Sequence, residues 1–79
     1  MGTKQIRELL AGIVNADAVK DDETLFMIGI SSMEISRFLS RLHQDCNIDV
    51  SFADFYKNSS ISELSRFINT KYDFNRGQA

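Results

Sequence analysis

Ile6, Leu9, Leu10, Ile13 and Val14 follow one another in steps of three and one, the spacing that stacks apolar side chains on one face of an α-helix. The stripe predicts a helix from about Lys4 to Asn15, with Lys4, Glu8 and Gly12 largely turned away from its buried face. The same spacing returns in Ile35, Phe38, Leu39, Leu42 and Cys46, and again in Ile61, Leu64, Phe67 and Ile68. No segment alternates apolar and polar residues over the length of a strand, since Ile48 to Val50 is too short to count. Three amphipathic helices in 79 residues must cover one another's apolar faces, so the pattern predicts an all-α, four-helix bundle once a short third helix is added.

The helix starts are written in the sequence. Ser31 and Glu34 form an S-x-x-E capping box, in which each side chain bonds the other's backbone N–H, and the second helix runs from there to about Asp45 or Cys46. Asn47 is placed to end it in a left-handed conformation. Ser51 caps the short third helix, with Asp54 in its first turn and Phe52 and Phe55 expected to point inward. Ser60 and Glu63 repeat the capping box for the fourth, which fades near Tyr72. The chain reads as a single domain over residues 1–79, with an ordered core at about 4–72 and a flexible tail over 73–79.

Between the first two helices the periodicity vanishes. Residues 16–29 read as one long loop, acidic at Asp17, Asp21, Asp22 and Glu23, whose apolar end (Leu25, Phe26, Met27 and Ile28) is expected to be pinned into the core. Loops of this length without structure of their own are uncommon and often functional.

Several function classes are disfavoured. The net charge is −2, with 9 basic against 11 acidic residues and no basic cluster able to neutralise a run of phosphates, so nucleic acid is not the expected partner. No apolar run approaches the ~20 residues of a membrane span, and no signal-peptide core is present, so a cytoplasmic protein with no membrane partner is expected. Cys46 is the single cysteine and His43 the single histidine, which leaves no internal disulfide and too few ligands for a structural zinc. The acidic stretch lacks the D-x-D-x-D-G alternation of a calcium loop and reads as solvated. His43 and Cys46 stand three apart, as a nucleophile and its base could, but Cys46 continues the apolar stripe and reads as core.

The Gly29-Ile30-Ser31-Ser32 junction remains. It sets a primary hydroxyl in the first turn of a helix, just after a glycine that lets the chain bend sharply. The first-turn N–H groups and the helix dipole favour negative charge there, so a phosphodiester on a serine would be stabilised. A serine before a helix is most often only a cap. One cap is needed and Ser31 has the Glu34 partner, which leaves Ser32 as the spare hydroxyl.

Phe26-Met27-Ile28-Gly29-Ile30-Ser31-Ser32-Met33 resembles the L-G-G-(D/H)-S-L motif of the acyl carrier and peptidyl carrier family. Ile28 and Gly29 match its first two places, Ser32 its serine and Met33 its large apolar residue. Asp22 to Phe26 is similar to the family's acidic-apolar approach to that serine. Phe55-Tyr56-Lys57-Asn58-Ser59-Ser60-Ile61-Ser62-Glu63-Leu64 resembles the L-F-E-x-P-T-I-x-E-L stretch of peptidyl and polyketide carriers, so the likeness extends over about residues 5–70.

The resemblance implies a shuttle that makes no bonds itself. A phosphopantetheinyl transferase would move 4′-phosphopantetheine from coenzyme A onto Ser32, and the arm's thiol would hold an acyl or aminoacyl group as a thioester. The partners implied are that transferase, an adenylating or acyl-loading enzyme, and the downstream synthase or transferase enzymes of nonribosomal peptide or polyketide-type biosynthesis. They would dock on the second helix and the loop before it, at Ile30, Met33, Glu34, Arg37 and Arg41, with the carrier a monomer.

Two residues depart from the family pattern. Ser31 stands where Asp or His is usual, which keeps the cap but loses a charge that a transferase could read, and Ile30 stands where Gly is common. Arg37 and Arg41 also break the acidic second helix of fatty-acid-type carriers, which points to a different partner class. On that face Arg41 could instead simply pair with Asp45, four residues on. Two other readings stay open: a carrier-like bundle that is never modified and serves as a protein-interaction module, and a small enzyme built on His43 and Cys46.

Overall fold

The computed structural model describes residues 1–72, and the tail expected over 73–79 lies outside the described residues. Four helices follow in order: α1 (Thr3–Leu10), α2 (Ser32–Cys46), α3 (Phe52–Lys57) and α4 (Ile61–Tyr72). α1 packs against both α4 and α2. Their apolar stripes meet in one core, in which Ile6, Leu10, Leu25, Ile35, Phe38, Leu42, Ile48, Phe55, Ile61, Leu64 and Ile68 are fully buried. The rings of Phe38 and Phe55 lie edge to face with centroids 6.1 Å apart, joining α2 to α3 in the arrangement aromatic quadrupoles favour.

α1 is shorter than its stripe predicts. It stops at Leu10, Ala11 turns to extended backbone, and Gly12 takes a left-handed φ of +85° that a side chain would resist. The N–H groups of Ile13 and Val14 both return to the Leu10 carbonyl, so a tight turn keeps these two residues packed on the core without continuing the helix. Arg41 of α2 completes this end: its guanidinium donates to the carbonyls of Leu9 and Ala11, both at 3.0 Å. A helix terminus leaves its last carbonyls without partners, and Arg41 supplies some of the missing donors. The Arg41–Asp45 pairing considered from sequence is therefore replaced by a bond across the helix interface.

The remaining boundaries follow their caps. The side chain of Ser51 accepts from the Asp54 N–H at 3.1 Å, and that of Ser60 from the Glu63 N–H at 3.1 Å. Asn47 ends α2 at φ +56°, its N–H returning to the His43 carbonyl and the next N–H, of Ile48, to that of Leu42. Phe55 is buried as expected, but Phe52 is 42% exposed, a correction to the inward pair read from sequence. α3 has only six residues, and they offer the core little more than the Phe55 position.

The long loop is ordered by hydrogen bonds at both ends and contains two 3₁₀ turns, Ala16–Ala18 and Leu25–Ile28. At its start Arg7 of α1 donates to the carbonyls of Ala16 and Val19 and pairs with the Asp21 carboxylate at 2.5 Å. At its end the Leu25 N–H donates to the Ser59 carbonyl at 2.7 Å, and the Thr24 hydroxyl to that of Ser59 at 2.9 Å. The N–H and hydroxyl of Ser62 both donate to the Asp21 carbonyl. The loop thus lies stretched from α1 to the α3–α4 junction. Its apolar end is only partly pinned: Leu25 is fully buried and Ile28 half-buried, whereas Phe26 and Met27 are 41% and 60% exposed.

Candidate functional site

The site at the head of α2 is assembled by four consecutive residues with different tasks. Gly29 adopts φ +73°, and its N–H donates to the Phe26 carbonyl at 3.0 Å, closing the second 3₁₀ turn. An added Cβ there would meet nothing within 4 Å, so the constraint on Gly29 is its backbone angle rather than its surroundings. Ile30 follows and is 8% exposed, a member of the core. It anchors the chain at the point where the helix begins and does not belong to the outward docking surface expected of it.

Ser31 is the N-cap. Its hydroxyl accepts the Glu34 N–H at 3.1 Å, and its own N–H donates to the Glu34 carboxylate at 2.8 Å. The capping box is thus complete with a neutral cap, and the Glu34 carboxylate is held inside it rather than offered outward. Ser32 is the first residue of α2 and is exposed, with no hydrogen bond to its hydroxyl among the described residues. The two serines differ in what remains available. Ser31 is committed to the backbone, while Ser32 projects a free nucleophilic oxygen at the positive end of a 15-residue helix.

Exposed apolar side chains flank this hydroxyl along the chain. Met27 is 60% and Met33 67% exposed, on either side of Ser32 in the chain, and Arg37 lies exposed one turn beyond Met33. Arg41 is half-buried and spent on α1, so the pair of arginines expected on the docking face reduces to Arg37. His43 does not meet Cys46. Its Nδ1 lies 2.7 Å from a carboxylate oxygen of Asp49, while Cys46 packs half-buried against the core. Among the described residues, no group of three or more His, Cys, Asp or Glu side chains is gathered as metal ligands.

Sequence reasoning missed one part of this region. Phe26, Tyr56 and Phe52 form an exposed aromatic row where the loop before α2 meets α3: the Phe26 and Tyr56 ring centroids are 5.4 Å apart and those of Tyr56 and Phe52 6.4 Å. The available signal was the four-residue spacing of Phe52 and Tyr56, which places both on one side of α3, apart from Phe55.

The bundle thus commits one serine to capping its second helix and leaves the next, Ser32, exposed and unengaged at the helix head. The chain belongs to the phosphopantetheine attachment site family, whose profile matches residues 4–68. It is also similar to bacitracin synthase 3 of Bacillus licheniformis, 31% identical over 61 residues. That stretch is 77% of this chain, and the match spans about 1% of the length of the relative. No solved structure matches.

The protein is therefore a phosphopantetheine carrier of all-α architecture, whose cofactor is covalent 4′-phosphopantetheine. Domains of this family are in general not catalysts. The head of α2 suits the group on its own terms. Ser32 would supply an exposed, unengaged hydroxyl, and the first-turn N–H groups would favour the phosphodiester's charge. Among the described residues no helix is long and apolar enough to cross a membrane.

Proposed function

We propose that Ser32 is the attachment residue and that the chain carries acyl or aminoacyl groups in nonribosomal peptide-type biosynthesis. The free, exposed hydroxyl of Ser32, beside a Ser31 already engaged as cap, carries the assignment. When attached, the arm supplies the thiol that holds the cargo. The chain's own residues do the positioning: Ile30 and the capping box fix where α2 begins, and the helix N-terminus favours the phosphodiester.

In this reading residues 1–79 act as one monomeric carrier domain that performs no catalysis. A phosphopantetheinyl transferase loads the arm from coenzyme A, and the need for that donor assigns the work to the cytoplasm. An adenylating or acyl-loading enzyme then charges the arm, and a synthase takes the cargo on. These partners meet the loop and α2 around Met33 and Arg37, with Glu34 setting the helix start beneath them. The similarity to bacitracin synthase 3, together with the likeness of residues 55–64 to peptidyl carriers, favours peptide synthesis over fatty-acid synthesis.

The test is direct. The purified chain is incubated with coenzyme A and a broad-specificity phosphopantetheinyl transferase, and its intact mass is recorded beside Ser31→Ala and Ser32→Ala variants. One added phosphopantetheine, lost with Ser32→Ala and kept with Ser31→Ala, is the expected result. A well-folded chain that gains no mass with two different transferases would instead be the unmodified interaction module.

A further inference from the structure

The part of the long loop that leads to Ser32 is tied to the start of α4 at two points. At the first, the N–H and hydroxyl of Ser62 donate to the Asp21 carbonyl, at 2.8 and 2.7 Å. A helix leaves its first N–H groups without partners of its own, so Asp21 helps to cap α4 from the loop. At the second, the Leu25 N–H donates to the Ser59 carbonyl and the Thr24 hydroxyl to the Ser59 hydroxyl. Packing fixes this point as well, since Leu25 is fully buried and Ser60 is 3% exposed.

Thr24 has a second task. Its side-chain oxygen accepts the Phe26 N–H at 3.2 Å, which makes it the N-cap of the 3₁₀ turn over Leu25–Ile28. The Met27 N–H closes that turn on the Thr24 carbonyl at 3.1 Å, and the Gly29 N–H closes it on the Phe26 carbonyl at 3.0 Å. Hydrogen-bond geometry in a 3₁₀ turn is poor and Phe26 and Met27 are exposed, so a turn this short is marginal without its cap. Gly29 ends the turn, and Ile30, Ser31 and Ser32 follow directly. One hydroxyl therefore both closes the turn before Ser32 and ties it to the α3–α4 junction.

We infer that Thr24 is a positioning residue for the attachment reaction at Ser32. Its hydroxyl keeps the turn closed, and the closed turn is the form in which the chain is modified. The inference rests on the carrier reading and on Ser32 as the attachment residue. Thr24 acts through the turn and not on the reacting atoms. Loss of a cap raises the opening of such a turn about tenfold, which leaves closed molecules in the minority. The apparent affinity of an enzyme that needs the closed form falls with that fraction.

The test is transfer of phosphopantetheine from coenzyme A to the full chain by a broad-specificity phosphopantetheinyl transferase, well below the unfolding temperature. Thr24→Val keeps the shape of the side chain and removes both bonds, whereas Thr24→Ser keeps both. Thr24→Val should raise KM about fivefold with kcat within about twofold, and Thr24→Ser should behave as the unsubstituted protein. Hydrogen exchange at the Met27 and Gly29 N–H groups should quicken about tenfold in Thr24→Val alone. Cys46→Ala, destabilised elsewhere in the bundle, is the control and should leave KM unchanged.

An unchanged KM in folded Thr24→Val, or a rise that Thr24→Ser shares, overturns the positioning role and leaves the carrier reading intact. A rise without faster exchange puts Thr24 in direct contact with the enzyme and overturns the role too. Should Thr24→Val fold poorly, Ser59→Ala removes the hydroxyl partner and keeps the carbonyl that accepts from Leu25. It should raise KM about twofold, and no rise overturns the role. An unsubstituted chain that takes no arm from two transferases overturns the carrier reading, and the positioning role falls with it.

Discussion

Ser31 and Glu34 bond each other's backbone N–H groups at 3.1 and 2.8 Å, and this reciprocal pair sets the residue at which α2 begins. Because the cap is Ser31, the next position, Ser32, becomes the first helical residue with its hydroxyl unspent. Ser31→Ala removes the acceptor for the Glu34 N–H and costs about 1 kcal/mol, as is typical of N-caps. In a domain this small that lowers Tm by about 4–8 °C. Ser31→Asp keeps the acceptor and should leave Tm nearly unchanged, which thermal unfolding of both variants will check.

Gly29 is the hinge before that cap. Its φ of +73° disfavours any side chain, although space for one exists. Gly29→Ala should cost about 1 kcal/mol from backbone strain alone, and Gly29→Val somewhat more because branching at Cβ narrows the choice further. Gly29→Asn should cost less than either, since Asn tolerates the left-handed region better. Denaturant midpoints ordered Gly, Asn, Ala, Val would match this account, whereas equal losses for all three would contradict it.

Arg41 is a brace between helices. Its guanidinium reaches the Leu9 and Ala11 carbonyls, each at 3.0 Å, at the end of a helix only eight residues long. Arg41→Met keeps much of the aliphatic packing and removes both bonds, and should destabilise the fold by about 1 kcal/mol after allowance for solvent. Arg41→Ala loses the packing as well. Hydrogen exchange should locate the loosening at the C-terminal turn of α1, and undisturbed protection there would refute the brace.

Phe55 is the buried side chain of α3 and contacts both Phe38 and Phe26. Phe55→Ala should cost about 3–5 kcal/mol, much of the stability a domain of this size has. Phe52→Ala, three residues away but half-exposed, should cost less than about 1 kcal/mol. The contrast separates the ring that builds the core from the one that lies at the surface.

Cys46 packs against the core, while His43 turns to Asp49. Cys46→Ala should lower stability by about 1 kcal/mol and leave attachment of phosphopantetheine at its original rate. A full loss of function in a folded Cys46→Ala protein would revive the thiol-based enzyme.

Much of this protein was determined by its sequence, because the informative signals are local. A capping box is complete within four residues and a helical stripe within about ten, so the starts of α2, α3 and α4, the left-handed Asn47 and the free Ser32 needed no tertiary information. The tertiary structure decided whatever depends on competition between distant groups. Gly12 lies within a segment whose apolar stripe reads as helix, yet the chain turns there and still packs Ile13 and Val14 on the core. Arg41 could have paired with Asp45 along its own helix, but unpartnered carbonyls of α1 lay within reach across the interface. Ile30 looked like a docking residue and became core, whereas Phe52 and Phe26 looked like core and became surface. Apolar character alone cannot assign these positions, because burial depends on which neighbours the fold brings over each side chain, and a six-residue α3 covers only one ring.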